Sequence, residues 1–186
     1  MLTKSFWLKA LVPAVFLVFA SIAHAKDYEM IEWQALMPAE DLEAILNPPE
    51  FIAGIEDGSS EDDLAALENS ESEEIARYQQ ALTSAEVVPA FNGKAIKLPG
   101  FIVPLESDDQ QRVTEFFIVP YFGACLHLPP PPPNQIIYVK HKEGIQLNSL
   151  YDPFWFEGTL DIAMNSNELG TSAYTLMLDN AMPYEE

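Results

Sequence analysis

Two hydrophobic periodicities divide this chain. Before residue 83 the apolar positions fall three and four apart: Leu42, Ile45 and Leu46, then Leu64, Leu67, Ile75, Tyr78 and Leu82. Such spacing lines one face of a helix. Pro38 followed by Glu40 and Asp41 gives the first helix a start, because acids in a first turn meet the positive end of the helix dipole. Asn47-Pro48-Pro49 stops it. A second, weakly amphipathic helix is predicted over residues 62–82, with a flexible part near residues 54–62 between the two. Ahead of both, Trp33-Gln-Ala-Leu-Met-Pro38 reads as a short apolar anchor.

From Val87 onward the pattern shortens. β-branched and aromatic residues gather over residues 95–105, 113–119, 135–139, 154–162 and 173–178. Turn chemistry separates them: Asn92-Gly93, Ser107-Asp108-Asp109, Lys142-Glu143-Gly144, Asn165-Ser166-Asn167 and Gly170. Pro99-Gly100 splits the first run, so that strand should bend sharply or lie at an edge. Gly158 marks a bulge in the fourth. With no long helix between the runs, the prediction is an α+β chain. Its main part is a small antiparallel β-barrel, oligonucleotide-binding-like with about five strands, preceded by an acidic helical segment. A barrel of six or seven strands is the alternative.

The first residues stand outside both patterns. Lys4 and Lys9 precede an apolar run over residues 10–22, and Ala23-His24-Ala25 has the small-x-small form of a cleavage site. Residues 1–25 therefore read as a signal peptide, too short and wrongly flanked to span a bilayer. Residues 26–86 form the helical segment and residues 87–186 the barrel-like domain. Processing at Ala25 places the protein in the periplasm, with no membrane insertion after cleavage.

Charge narrows the partners. The 186 residues carry 29 acids against 9 Lys and Arg, a net charge of −20. Removing residues 1–25 takes two bases and no acid, leaving 7 against 29, or −22. Sixteen of those acids lie between Asp27 and Glu74, with no base among them. Nucleic acid and anionic lipid are repelled by such a surface. The acidic stretch lacks the Asp-x-Asp-x-Asp-Gly spacing of a calcium loop and reads as a solvated face.

The chemistry concentrates in Tyr121-Phe-Gly-Ala-Cys-Leu-His-Leu, five prolines, and Asn134-Gln135. Cys125 is the chain's one cysteine, so no intramolecular disulfide forms. In an extended backbone Cys125 and His127 project to one face. A thiolate and an imidazole together suit zinc, copper or iron. Two ligands do not complete a site; His141 or carboxylates would have to supply the rest. The same pair also fits a thiol activated by a neighbouring imidazole, or a buried cysteine with a purely packing role. Residues 129–133 lack amide hydrogens and have fixed φ, so they predict a polyproline II rod of about 3.1 Å per residue. Tyr121, Asn134 and Gln135 flank it as candidate binding residues, the two amides as donors at its far end.

Gly100-Phe-Ile-Val-Pro-Leu-Glu106, the stretch from Phe117 to Gln135, Phe154-Trp-Phe-Glu-Gly-Thr-Leu160 and Ala173-Tyr-Thr-Leu176 resemble an uncharacterised family of exported, mostly proteobacterial proteins. The Gly-Ala-Cys-x-His-x-Pro-Pro-Pro-Pro-Pro-Asn-Gln signature is its most specific part. Residues 50–74 are longer and more acidic than the family pattern. The resemblance implies genes that neighbour ABC-type exporters or permeases, some tied to zinc. It carries no catalytic residue onto this chain. The expectation is thus an exported, soluble, non-enzymatic accessory protein of an envelope transport system. Zinc is the candidate metal, with Cys125 and His127 as ligands and envelope transport proteins as partners. The alternative is a thiol-dependent enzyme or redox protein using Cys125.

Overall fold

The computed structural model describes residues 26–49, 72–124 and 130–184. The expected signal peptide, the flexible part near residues 54–62, and Cys125 and His127 lie outside the described residues. The described residues form six strands: β1 (Glu29–Met30), β2 (Lys94–Ser107), β3 (Val113–Val119), β4 (Ile137–Ile145), β5 (Phe154–Asn167) and β6 (Gly170–Pro183). Two helices among the described residues, α1 (Ala39–Leu46) and α2 (Glu73–Leu82), lie between β1 and β2.

The sheet closes on itself. Its order is β2-β3-β4-β6-β5, and β5 pairs back with β2, so five strands make a small barrel. β1 adds in parallel to the outer edge of β2 through Glu29 and Met30. The expected five-stranded barrel is therefore observed, but it is mixed, because β4 and β6 run parallel. The cause is β5, which is paired on both edges, by β6 and by the first half of β2. β4 is left to meet β6, and the intervening strand makes those two run the same way.

β2 serves two neighbours in turn. Residues 94–100 pair with β5, and from Phe101 onward the strand pairs with β3. The handover falls at Pro99-Gly100, where a bend was expected. Gly100 is required by its surroundings: an added Cβ would lie 2.6 Å from Ile118 Cγ2 and 3.2 Å from Trp33 Cζ2. The expected bulge at Gly158 is present as a register shift between Glu157 and Gly158.

Alternation fills the interior. Ile96, Leu98, Phe116, Ile118, Ile137, Val139, Phe156, Leu160, Tyr174 and Leu176 are buried in one cluster. Ile31, Trp33 and Leu36 from the N-terminal segment join it. Each such side chain contributes about 1.5–3 kcal/mol when taken out of water. The anchor expected at Trp33 is thus part of the barrel core, in a 3₁₀ turn over Trp33–Leu36. Trp33 Nε1 donates to the Pro99 carbonyl at 2.7 Å. A second cluster lies on the outer face of the sheet. There Phe117, Val119, Ala124 and Ile136 are buried against Phe101, Val103, Leu105 and Tyr138.

Several boundaries differ from expectation: β6 starts at Gly170, expected as a turn residue, and runs to Pro183, and β2 includes Ser107. Gln135 belongs to a 3₁₀ turn, Pro133–Gln135, and β4 starts at Ile137. Lys142-Glu143-Gly144 is not a turn but part of β4, which runs on until Ile145 pairs with Val113. Gly144 permits this with φ 65°. Asn165-Ser166-Asn167 extends β5, and the reversal is a two-residue turn at Glu168-Leu169. Asn167 Oδ1 caps that turn by accepting from the amides of Leu169 and Gly170 at 2.8 and 3.2 Å.

Candidate functional site

The signature loop leaves β3 at Val119 and enters β4 at Ile137. Its first arm turns at once. Gly123 takes φ 77°, in the region glycine favours. The Ala124 amide donates to the Tyr121 carbonyl at 3.4 Å, and Ala124 is fully buried in the outer cluster. Tyr121 and Phe122 stay exposed at the surface. The Cys125–His127 pair follows directly from this anchored arm and lies beyond the described residues.

The second arm is fixed more heavily. Pro131 and Pro132 are buried, and Pro132 has the polyproline II angles φ −61° and ψ 154°. Asn134 is fully buried. Its backbone N–H donates to the Ser84 carbonyl at 3.3 Å, and its Nδ2 donates to the Glu86 carbonyl at 3.0 Å and Asp41 Oδ2 at 3.4 Å. Gln135 Nε2 donates to the Trp33 carbonyl at 3.0 Å and the Asn134 carbonyl at 3.1 Å. Both side-chain amides donate, and the acceptors are groups of the chain itself. Asn134 Oδ1 is buried and has no hydrogen-bond partner among the described residues.

Tyr174 completes this junction. Its hydroxyl donates to the Leu36 carbonyl at 2.9 Å and accepts from the Val88 amide at 2.7 Å. Burial pushes the Tyr174 pKa above the ordinary tyrosine value, and the Val88 amide partly opposes that. Nothing in the sequence singled out Tyr174 except its place in an alternating run. On the outer sheet, Tyr138 donates to Glu115 Oε2 at 2.8 Å, and Lys140 bonds the other Glu115 oxygen. Burial and the Glu115 carboxylate push the Tyr138 pKa up to about 12. The Lys140 ammonium holds the Glu115 carboxyl below its usual range.

The structure therefore brings Asn134, Gln135 and Tyr174 together at the foot of the loop, and leaves Tyr121 at its exposed start. Among the described residues, no three His, Cys, Asp or Glu side chains are grouped to hold a metal ion. Phe122 and Tyr151 were missed by sequence reading. Their rings pack 4.4 Å apart, centroid to centroid, although 29 positions separate them, a contact no local pattern encodes.

Fold and loop define the class: a closed five-stranded barrel, an N-terminal strap over residues 31–37 and 83–88 that the loop and Tyr174 hold by hydrogen bonds, and a Cys-x-His-polyproline loop tethered at both flanks. The profile described as "Protein of unknown function (DUF3299)" matches residues 33–183, and the chain belongs to that family. It is similar to the crystal structure of a DUF3299 family protein from Pseudomonas aeruginosa PAO1. The two are 36% identical over 86% of this chain and 98% of that one, with a TM-score of 0.62. None of the curated proteins matches the chain.

Proposed function

We propose that this protein is an exported, periplasmic accessory component of an ABC-type envelope transport system, and that its signature loop binds zinc through Cys125 and His127. The carrying observation is the tethering of that loop. Buried Ala124 fixes one flank, and Asn134 and Gln135 fix the other through the strap residues Trp33, Ser84 and Glu86. A Cys-x-His pair held between two fixed flanks loses less freedom when it coordinates a metal than the same pair on a free chain. Thiolate and imidazole are ligands that suit zinc. The barrel interior is filled by its own side chains, which favours action through loops and outer surface. The family resemblance supplies the transport context.

Calorimetric titration of the protein with zinc tests this. Cys125→Ser and His127→Ala should each weaken binding at least tenfold, because each removes a ligand. Affinity should also fall at acid pH, because both ligands must be deprotonated to coordinate. Equal affinity in the wild type and both variants would overturn the metal reading.

A further inference from the structure

A chain of rings runs outward from the second cluster to the surface beside the signature loop. Phe101 on β2 meets Phe122 edge-on, with centroids 6.3 Å apart and planes at 66°. Phe122 in turn packs on Tyr151 at 4.4 Å and 32°. Phe101 rests on the buried Phe117 and Val119, so the ladder is built on the sheet rather than on a loose loop. Three elements distant in sequence contribute one ring each: β2, the β3–β4 loop and the β4–β5 link. The outer end remains open to solvent, with Tyr151 71%, Leu150 47%, Tyr121 46% and Phe122 40% exposed.

Taking about 200 Å² for a whole aromatic side chain, this open apolar surface amounts to roughly 400 Å², the size at which a patch on a soluble protein has a use. It is well below the roughly 800 Å² per partner of a stable protein dimer, but it matches one short segment. Charge decides which segment. Residues 119–124 and 146–153, which carry the patch, contain no Lys or Arg, and Asp152 beside Tyr151 is exposed. The whole chain carries −20. A second copy and an anionic bilayer are both repelled; a segment with apolar residues between Lys or Arg is attracted.

We propose that the Tyr121–Phe122–Leu150–Tyr151 patch docks a basic amphipathic segment of a protein partner, its apolar side chains on the rings and its cations drawn by Asp152 and the net negative charge of the chain. This deepens the partner half of the transport reading and rests on it. Zinc binding uses other residues and is measured separately, so either can fail alone.

The probe is a fluorescein-labelled amphipathic peptide of Leu and Lys, titrated with the purified protein by anisotropy. Phe122→Ser and Tyr151→Ser leave net charge unchanged and should each weaken binding at least tenfold. Tyr184→Ser, which removes an exposed ring stacked on Trp155 elsewhere, should leave affinity within twofold. A Leu and Glu peptide of the same length should not bind. Circular dichroism establishes that each variant is folded. Equal binding by the patch variants, or binding of the Glu peptide, would overturn the proposal. So would self-association that Tyr151→Ser abolishes, or flotation with phosphatidylethanolamine vesicles.

Discussion

Replacing Tyr174 with Phe isolates the junction between strap and barrel. The ring stays, so packing in the core is unchanged and only the hydroxyl is lost. That hydroxyl makes two bonds, to the Leu36 carbonyl at 2.9 Å and from the Val88 amide at 2.7 Å. Leu36 is fully buried, so its carbonyl is left without a partner at a cost of about 1–3 kcal/mol. Val88 is only half-buried; its amide can turn to water, and that bond counts for about 0.5–1.5 kcal/mol. The total expected loss is about 2–4 kcal/mol. For a chain of this size each kcal/mol lowers Tm by about 2–4 °C, so a fall of roughly 4–16 °C is expected. Urea denaturation followed by tryptophan fluorescence measures the loss directly, with the denaturant slope unchanged. A loss under about 1 kcal/mol would show that the strap does not depend on Tyr174.

Two further substitutions test other parts of the barrel. Gly158→Ala places a Cβ 2.4 Å from the Met177 carbonyl oxygen and 2.9 Å from Leu176 Cγ; a destabilisation of about 1–3 kcal/mol is expected from such overpacking, and wild-type stability in the same urea titration would refute the close approach. The folded-state pKa of Tyr138, about 12, lies above its unfolded value near 10, so its contribution is fully present below pH 10 and disappears as pH rises towards 12. Tyr138→Phe should therefore flatten the fall in stability over that window, leaving what the other raised groups, Lys26, Tyr28, Lys140 and Tyr174, contribute, and an identical alkaline profile in both proteins would contradict the assignment.

Period was legible in the chain, and partnership was not. Ile96, Leu98 and Ile102 alternate, and so do Phe116 and Ile118, so strands and inward faces could be read from spacing alone. Pro99-Gly100 and Gly158 were readable as irregularities because each residue type has few backbone uses. The parallel β4–β6 pair was not readable, since a β-branched run states that a strand exists but not which strand lies beside it. Asn165-Ser166-Asn167 misled for a related reason: its composition favours turns, yet the β6 ladder continues through Thr171 and Ser172 opposite it. In the loop, the amides of Asn134 and Gln135 were recognisable as donors. Their acceptors, the carbonyls of Glu86 and Trp33, lie 48 and 102 positions away, and only the folded chain reveals them.

Those long-range bonds tie the strap to the loop. Gln135 holds the Trp33 carbonyl, Trp33 Nε1 holds the Pro99 carbonyl, and Tyr174 holds Leu36 three residues further on. The strap is therefore fastened from the loop side and the barrel side at once. At about 1 kcal/mol net for each bond, the fastening is worth only a few kcal/mol. That is comparable with the backbone entropy of ordering two or three residues. The run of prolines works in the same direction. Each proline restricts the unfolded chain and removes about 0.4–1 kcal/mol of the entropy that folding must overcome. A short loop with five of them can be positioned by a handful of hydrogen bonds where a flexible one could not. The flanks that enclose the Cys125–His127 stretch thus depend on long-range bonds to the strap. On the zinc reading proposed above, loosening Leu36 through Tyr174→Phe should weaken zinc affinity as well as stability, because the bond partner of Gln135 is only three residues away on the same 3₁₀ turn; unchanged affinity in a destabilised variant would show that the strap does not set the loop.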